Sequence, residues 1–348
     1  MFKPRFTITS RINSALLEIE RTRGFLEAAK LKEKWIKNMQ SEALILESHH
    51  STHIEGTQLT LSQAQRIIAG KTLNGIRRDD RRELLNYKEA MDFVSEHLGK
   101  KSEITEVSIK EIHKILVKDV RGGTLEPGTY RKIQNYVVNS VTRAIIYTPP
   151  PPSRVPQLMK EFTEWLNEDL NISPVLIAGI SQYQFVDIHP FLDGNGRTAR
   201  VLCTLILYEN GYDFKRLFSL SEYYDKIRSQ YYAAIQSVRK SGMNMTVWLE
   251  YFTEGLQHQL REVKTKGEKA IKKEVITEKA KKSNLNERQQ RILLLLLDKN
   301  RASVEEIIQK FNFVRRSVQR DLAKFVELGM IREIAKSKTD PTKYYELL

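Results

Sequence analysis

The residues able to do chemistry are concentrated between His189 and Arg200, in the run His-Pro-Phe-Leu-Asp-Gly-Asn-Gly-Arg-Thr-Ala-Arg. It holds a base, a carboxylate, an amide flanked by two glycines, and two arginines. Backbone N–H groups at a helix N-terminus are unpaired and carry partial positive charge. Gly194 and Gly196 would let such a backbone come close to a ligand. Arg197 and Arg200 are three residues apart and share a helix face. Together these parts describe a phosphate cradle. Asp193 is a candidate ligand for a hard divalent cation held against phosphates. His189, at the other end of the loop, is a candidate base. Asp-Gly-Asn-Gly alone would signal only a turn. Two arginines at the positive end of a helix, however, need an anion to justify them.

The flanks supply the helices that must position this loop. Upstream, Ser173-Pro174 reads as an N-cap followed by proline at the first helical position, and the apolar run Val175 to Phe185 follows. Downstream, Val201 to Tyr208 is apolar all round, which predicts a buried helix ending at Asn210-Gly211. Nearer the N-terminus, a helical pattern runs from about Thr9 to Gln40 and a second from Ser41 to Glu55. Glu55 falls in the last turn of its helix, where the dipole disfavours an anion. It is either a solvated surface glutamate or one to which a cation comes. A short helix starts at Thr60, a longer one covers Arg81 to His97, and another spans about Ser108 to Val117. Gly122-Gly123 and Pro127-Gly128 punctuate turns. The β-branched alternation from Tyr130 to Tyr147 predicts a small hairpin turning near Asn139-Ser140. Pro149 to Pro152 then forms a stiff step before a helix over Val155 to Asn171. Helical spacing continues through Ser219 to Arg239, where Tyr223-Tyr224 and Tyr231-Tyr232 are either core or an aromatic wall for a nucleobase. Met245 to Gln259 closes the apolar helical part.

From His258 to Ser283 the chain is lysine-rich, and an exposed helical connector is the better reading than a nucleic-acid arm. Beyond Asn284 the pattern is three helices and a hairpin, the order of a winged helix-turn-helix, in which the third helix enters the DNA major groove. Arg315, Arg316, Gln319 and Arg320 would lie exposed on that helix. They could contact DNA, or the module could be a protein–protein platform. The 348 residues, 41% hydrophobic and 29% charged, fit a globular protein of two or three domains. The one cysteine, Cys203, excludes an internal disulfide and argues against a thiolate metal site. That composition points to a reducing, cytoplasmic setting. Residues 1–8 hold no apolar signal region, and Ile292 to Leu297 is far too short to span a bilayer, so no membrane association is expected. The net charge of +14 and pI near 9.6 permit nucleic-acid or acidic partners.

The His189–Arg200 run resembles the signature of the Fic family, His-Pro-Phe-x-(Asp/Glu)-Gly-Asn-Gly-Arg-x-x-Arg, at every fixed position. The resemblance extends from the N-terminal helices through Pro127-Gly128-x-Tyr130-Arg131 and the hairpin to Tyr231-Tyr232. It implies a mainly α fold: a Fic-type helical bundle with a small β-hairpin flap, here with a C-terminal winged helix-turn-helix. On that basis residues 1–100 carry an inhibitory helix and 101–257 form the catalytic core. Residues 258–283 then form a linker and 284–348 the winged helix. The implied activity is that of a protein adenylyltransferase, moving AMP from ATP to a Tyr, Thr or Ser hydroxyl with Mg²⁺. The target would dock on the 133–147 flap, self-modification is allowed, and a homodimer is suggested. By position, His189 would deprotonate the target hydroxyl and Asp193 would hold Mg²⁺. Asn195 with the backbone at Gly194 and Gly196 would form the α-phosphate hole. Arg197 would bind the outgoing pyrophosphate and Arg200 the γ-phosphate. Thr198 and Ala199 complete the ATP-binding run, and Tyr232 would lie near the adenine. Ser51-x-x-x-Glu55-Gly56 resembles the family's inhibitory motif, in which the glutamate takes the second motif arginine, here Arg200, away from the γ-phosphate. Two alternatives accompany this reading. One is a Fic-fold enzyme using another nucleotide donor or removing AMP. The other is a DNA-binding regulator with the Fic core as sensor.

Overall fold

The computed structural model describes residues 2–97, 103–120, 126–138, 142–168, 170–337, 340 and 343–348. The chain divides into two compact units, Met1–Val263 and Lys264–Leu348.

The first unit is helical, and its helices begin where the sequence supplies caps. Helix α1 (Ser10–Ala28) is capped by the Thr9 hydroxyl, and α2 (Glu33–Ile54) follows. The break between them falls at residues 29–32, not at the expected 40–41, because Ala29 turns extended (φ −68°, ψ 126°). No glycine or proline marks that break. Helix α3 (Leu61–Ile68) starts with a reciprocal Thr60–Gln63 capping box, and α5 (Glu106–Val117) with a Thr105–Ser108 one. Between them lies α4 (Arg78–His97). The hairpin consists of β1 (Val137–Val138) and β2 (Ile145–Tyr147), antiparallel and with an irregular register. The turn expected near Asn139-Ser140 lies outside the described residues. Helix α6 (Val155–Leu166) follows the proline step and ends five residues before the expected Asn171.

Helices α7 (Pro174–Ile188) and α8 (Asn195–Glu209) pack on each other at the centre of this unit, as their apolar runs require. Helix α7 is also packed tightly against residues 248–252. A Cβ on Gly179 would come within 2.8 Å of the Phe252 ring, and Trp248 Nε1 donates to the Gly179 carbonyl at 2.8 Å. The expected single helix after Ser219 is two, α9 (Leu220–Lys226) and α10 (Arg228–Lys240), with Ile227 non-helical between them. The last, α11, runs unbroken over Thr246–Lys282, so the lysine-rich stretch continues an apolar helix and the unit boundary falls within it.

Helix α2 packs against α4, α8 and α9. The buried Glu47 fixes it there. Its carboxylate accepts from the Tyr87 hydroxyl, the Ser219 hydroxyl and the Ser221 N–H, each at 2.9 Å, and from the Ser221 hydroxyl. A buried charge is tolerable only when its oxygens are satisfied in this way.

The second unit contains α12 (Glu287–Lys299), α13 (Val304–Phe311) and α14 (Arg315–Glu327). With them are β3 (Arg301–Ala302), β4 (Ile331–Ile334) and β5 (Tyr344–Leu347), arranged in the order β3-β5-β4. The helices and hairpin match the sequence expectation, and the short β3 adds a third strand. Its core includes Ile292, Leu296, Ile307, Val318, Leu322, Phe325 and Ile331. Among the described residues, no helix is long and apolar enough to cross a membrane.

Candidate active site

Helix α7 ends on His189, which adopts a left-handed conformation (φ 53°, ψ 56°), and α8 begins after Gly194 (φ 78°). Residues 189–194 therefore turn the chain sharply between two core helices. Asn195 closes the turn. Its side-chain oxygen accepts from the Phe191 N–H at 2.9 Å, and its amide donates to the Phe191 carbonyl at 2.8 Å. The amide expected in an anion hole is thus engaged in shaping the loop. What remains for an anion is the N-terminal backbone of α8, whose first intrahelical bond is Thr198 N–H to Gly194 O at 2.9 Å. Thr198 and Ala199, grouped with the ATP-binding run on sequence, turn inward. The Thr198 hydroxyl donates to Gly194 O at 2.9 Å, and Ala199 is buried in the main core.

His189 Nδ1 lies 3.1 Å from the Val186 carbonyl. The carbonyl can only accept, so Nδ1 carries the proton and Nε2 keeps its lone pair. Burial lowers the imidazole pKa to about 4, which keeps the ring neutral near pH 7. Asp193, partly exposed, accepts the Gly194 N–H at 2.6 Å.

The two arginines are buried for different reasons. Arg197 Nη1 lies 3.1 Å from Glu83, and Nη2 lies 3.9 Å from Asp193. These are charge contacts without hydrogen-bond alignment: none of the three guanidinium nitrogens has a hydrogen bond among the described residues. Buried donors in that state call for an explanation, and an anionic ligand is the simplest. Arg200 is fully engaged. Its Nε donates to the Ser51 hydroxyl at 2.7 Å, and its Nη2 donates to Ser51 O at 2.9 Å and to Glu55 Oε1 at 2.8 Å. Burial works against the guanidinium charge, but the Glu55 carboxylate outweighs it and raises the pKa. The Glu55 oxygen also lies over Gly196, where a Cβ would overlap it. The carboxylate therefore rests on the N-terminal turn of α8, where the sequence led us to expect a phosphate. Tyr232, half-exposed, is near this carboxylate, which together with burial raises its phenol pKa. Tyr231 and Tyr224 stack in the core at 4.5 Å, as the core reading of the tyrosines expected.

Two residues at the site were not singled out on sequence. His113 of α5 stacks face to face on Phe191, with centroids 3.6 Å apart. Its Nε2 lies 3.0 Å from Asp193 O, and its Nδ1 accepts from Gly128 N–H at 3.0 Å. A histidine set in the apolar stripe Ile109, Ile112, Leu116 was the available signal. Arg131 donates to the His189 carbonyl at 2.8 Å, to the Ile133 carbonyl at 3.3 Å and to the Pro150 carbonyl. It fastens the root of the hairpin to the loop of residues 189–194. The other end is held by Tyr147, whose hydroxyl donates to Asp187 O at 2.8 Å beneath Arg239.

Residues 103–207 match the Fic/DOC family. This part of the chain is a Fic domain. The matched segment contains His113, Arg131, the hairpin and the whole His189–Arg200 motif, and it begins after α2. Proteins named protein adenylyltransferase Fic from Drosophila willistoni and Drosophila grimshawi are 34% and 33% identical over 200 residues. Those alignments cover 57% of this chain and 38% and 40% of the relatives, so the chain spans about two fifths of their length. Among solved structures, a Fic family protein from Desulfovibrio desulfuricans G20 aligns over 100% of this chain and 98% of its own, with TM-score 0.64 and 24% identity. Fic-1 (residues 134–508) from C. elegans aligns over 72% of this chain and 71% of its own, with TM-score 0.59 and 25% identity. The mainly helical Fic fold expected from the sequence is thus the fold observed.

Proposed function

We propose that the chain transfers AMP from ATP to a hydroxyl side chain of a protein and that Glu55 restrains the reaction. The observation carrying this reading is the Glu55 carboxylate resting on Gly196 and paired with Arg200, where phosphates would bind. His189 Nε2 takes the proton of the target hydroxyl. The hydroxyl oxygen forms a bond to the α-phosphorus, the bond from that phosphorus to the bridging oxygen breaks, and pyrophosphate leaves with the electron pair. The guanidinium of Arg197, ion-paired with Glu83 but with no hydrogen bond at its nitrogens, receives the leaving group, and the first N–H groups of α8 face the charge that develops on the α-phosphate. Tyr232, half-exposed near Glu55, would contact the adenine.

Asp193 is one carboxylate at a phosphate cradle, the donor set with which Mg²⁺ is commonly held alongside substrate oxygens. The metal would neutralise phosphate charge. While Glu55 holds Arg200, that arginine is withheld from the γ-phosphate, and ATP binds unproductively. The target strand pairs with the hairpin, beside the exposed Ile133, Tyr136, Val138, Ile145 and Ile146. The lone buried Cys203 suits a cytoplasmic setting.

Mass spectrometry of a cell lysate incubated with the Glu55→Gly chain and ATP, UTP, GTP or CDP-choline tests this. AMP adducts on Ser, Thr or Tyr with ATP, absent when His189→Ala is added, are expected. Adducts from another nucleotide alone would reassign the donor. Loss of pre-attached AMP under the wild-type chain would favour the reverse reaction.

A further inference from the structure

We infer that residues 264–348 bind duplex DNA, with the exposed first turns of α14 in the major groove. This stands apart from the transfer reaction and uses none of its residues. Residues 264–348 hold 21 Lys and Arg against 12 Asp and Glu, so about a quarter of the chain carries +9 of its net +14. The local geometry is that of a helix-turn-helix. Helix α13 ends at Asn312, which is left-handed (φ 54°), and α14 starts three residues later at Arg315.

On α14, Val318, Asp321, Leu322 and Phe325 face the core. Asp321 is pinned there by Arg288 Nε at 2.7 Å and Gln289 Nε2 at 2.8 Å. That pinning fixes which side of the helix points away. The outward side presents Arg315, Arg316, Gln319 and Arg320, all exposed. Arg315 is paired with Glu305 of α13. Among the described residues, Arg316, Gln319 and Arg320 make no hydrogen bond or ion pair within the chain. No side chain caps the α14 N-terminus, so the N–H groups of Arg315 and Arg316 remain for a phosphate.

The chemistry of this face selects its partner. A protein interface is depleted of charge at its centre, whereas three neighbouring charged or amide side chains with no apolar residue among them suit phosphates and base edges. Arginine matches guanine, and glutamine matches adenine, by two hydrogen bonds each. A helix fits the wide major groove of B-form DNA, while the deep, narrow groove of A-form RNA excludes it. The β4–β5 connection adds the exposed Lys336 to the basic surface of this unit.

Fluorescence anisotropy of the full chain with a labelled duplex of about three helical turns tests the proposal. Binding at about 50 mM salt that weakens steeply toward about 200 mM is expected, with affinity loss of about tenfold or more in Arg316→Ala/Arg320→Ala. Gln319→Ala should leave the salt slope unchanged while altering the consensus recovered from a random duplex pool. Far-ultraviolet circular dichroism checks that these exposed changes leave the fold intact. Absence of binding at low salt, equal affinity in the double variant, or tighter binding to duplex RNA would each overturn it. AMP transfer by the double variant should stay at the level of the parent chain, which separates this outcome from failure of the transferase reading.

Discussion

Arg131 and His189 are 58 residues apart, yet Arg131 Nε donates to the His189 carbonyl at 2.8 Å. The residue that begins the 189–194 loop and the root of the hairpin that would present a target are therefore joined by one buried side chain. Arg131→Met keeps the length and removes three donors. It should cost about 2–4 kcal/mol of stability in chemical denaturation, from the loss of charge-assisted hydrogen bonds and the carbonyls left buried. AMP transfer to protein should fall further than nucleotide binding does, because alignment of the hairpin is what is lost.

The pH profile tests the base. His189 is shifted by burial to about 4, so its neutral form dominates at and above pH 6. With Glu55→Gly, single-turnover transfer should be flat in His189 protonation from pH 6 to 8 and should fall only as pH approaches 4. A rate that halves near pH 6.5, the ordinary histidine value, would show the base to be unshifted.

Acid stability follows from the same cause at three sites. Burial lowers His49, His113 and His189 each to about 4. Their folded pKa values are depressed, so between about pH 4 and 6.5 the unfolded chain binds more protons than the folded one. The contribution of these groups is complete above pH 6.5 and is lost as pH falls toward 4. Melting temperature should therefore decline across that window. His113→Phe preserves the stack on Phe191 and should flatten the decline by about one proton in three, at the cost of the Gly128 and Asp193 hydrogen bonds.

The C-terminal end of α2 has a second anchor. His50 and His53 of α2 both reach Asp225 Oδ2, at 2.8 Å and 2.7 Å, and Arg228 bonds the other carboxylate oxygen. Although burial opposes it, these three partners bring Asp225 down to about 2. Asp225→Asn should loosen the end of α2 and raise basal transfer, though less than removal of Glu55 itself. Labelling assays on the two variants side by side would show the order.

The loop and helix start of residues 189–200 were legible because they are contiguous: each residue could be placed on one or the other from spacing alone. The Glu55–Arg200 pair was reachable from a helix-end argument plus the motif resemblance, since 145 residues separate the partners. The side-chain bonds that shape the site were not legible. Nothing local in the sequence directs Asn195 to Phe191, His113 to Asp193 or Arg131 to His189. That the Thr198 and Ala199 side chains turn inward was not legible, because a motif position does not say which face of the helix it occupies. The α1–α2 break lacked glycine or proline, and the long α11 was obscured where its apolar stripe thins into lysines.

Glu55 and the γ-phosphate would compete for Arg200. Transfer of label from α-³²P-ATP to protein by the wild-type chain, Glu55→Gly, and Glu55→Gly with His189→Ala measures this directly. Glu55→Gly should raise the rate by roughly 5- to 150-fold, the span typical of coupling between two sites. Adding His189→Ala should lower it again by about 10²- to 10⁴-fold. Equal labelling by the wild-type and Glu55→Gly chains would show that Glu55 does not restrain transfer.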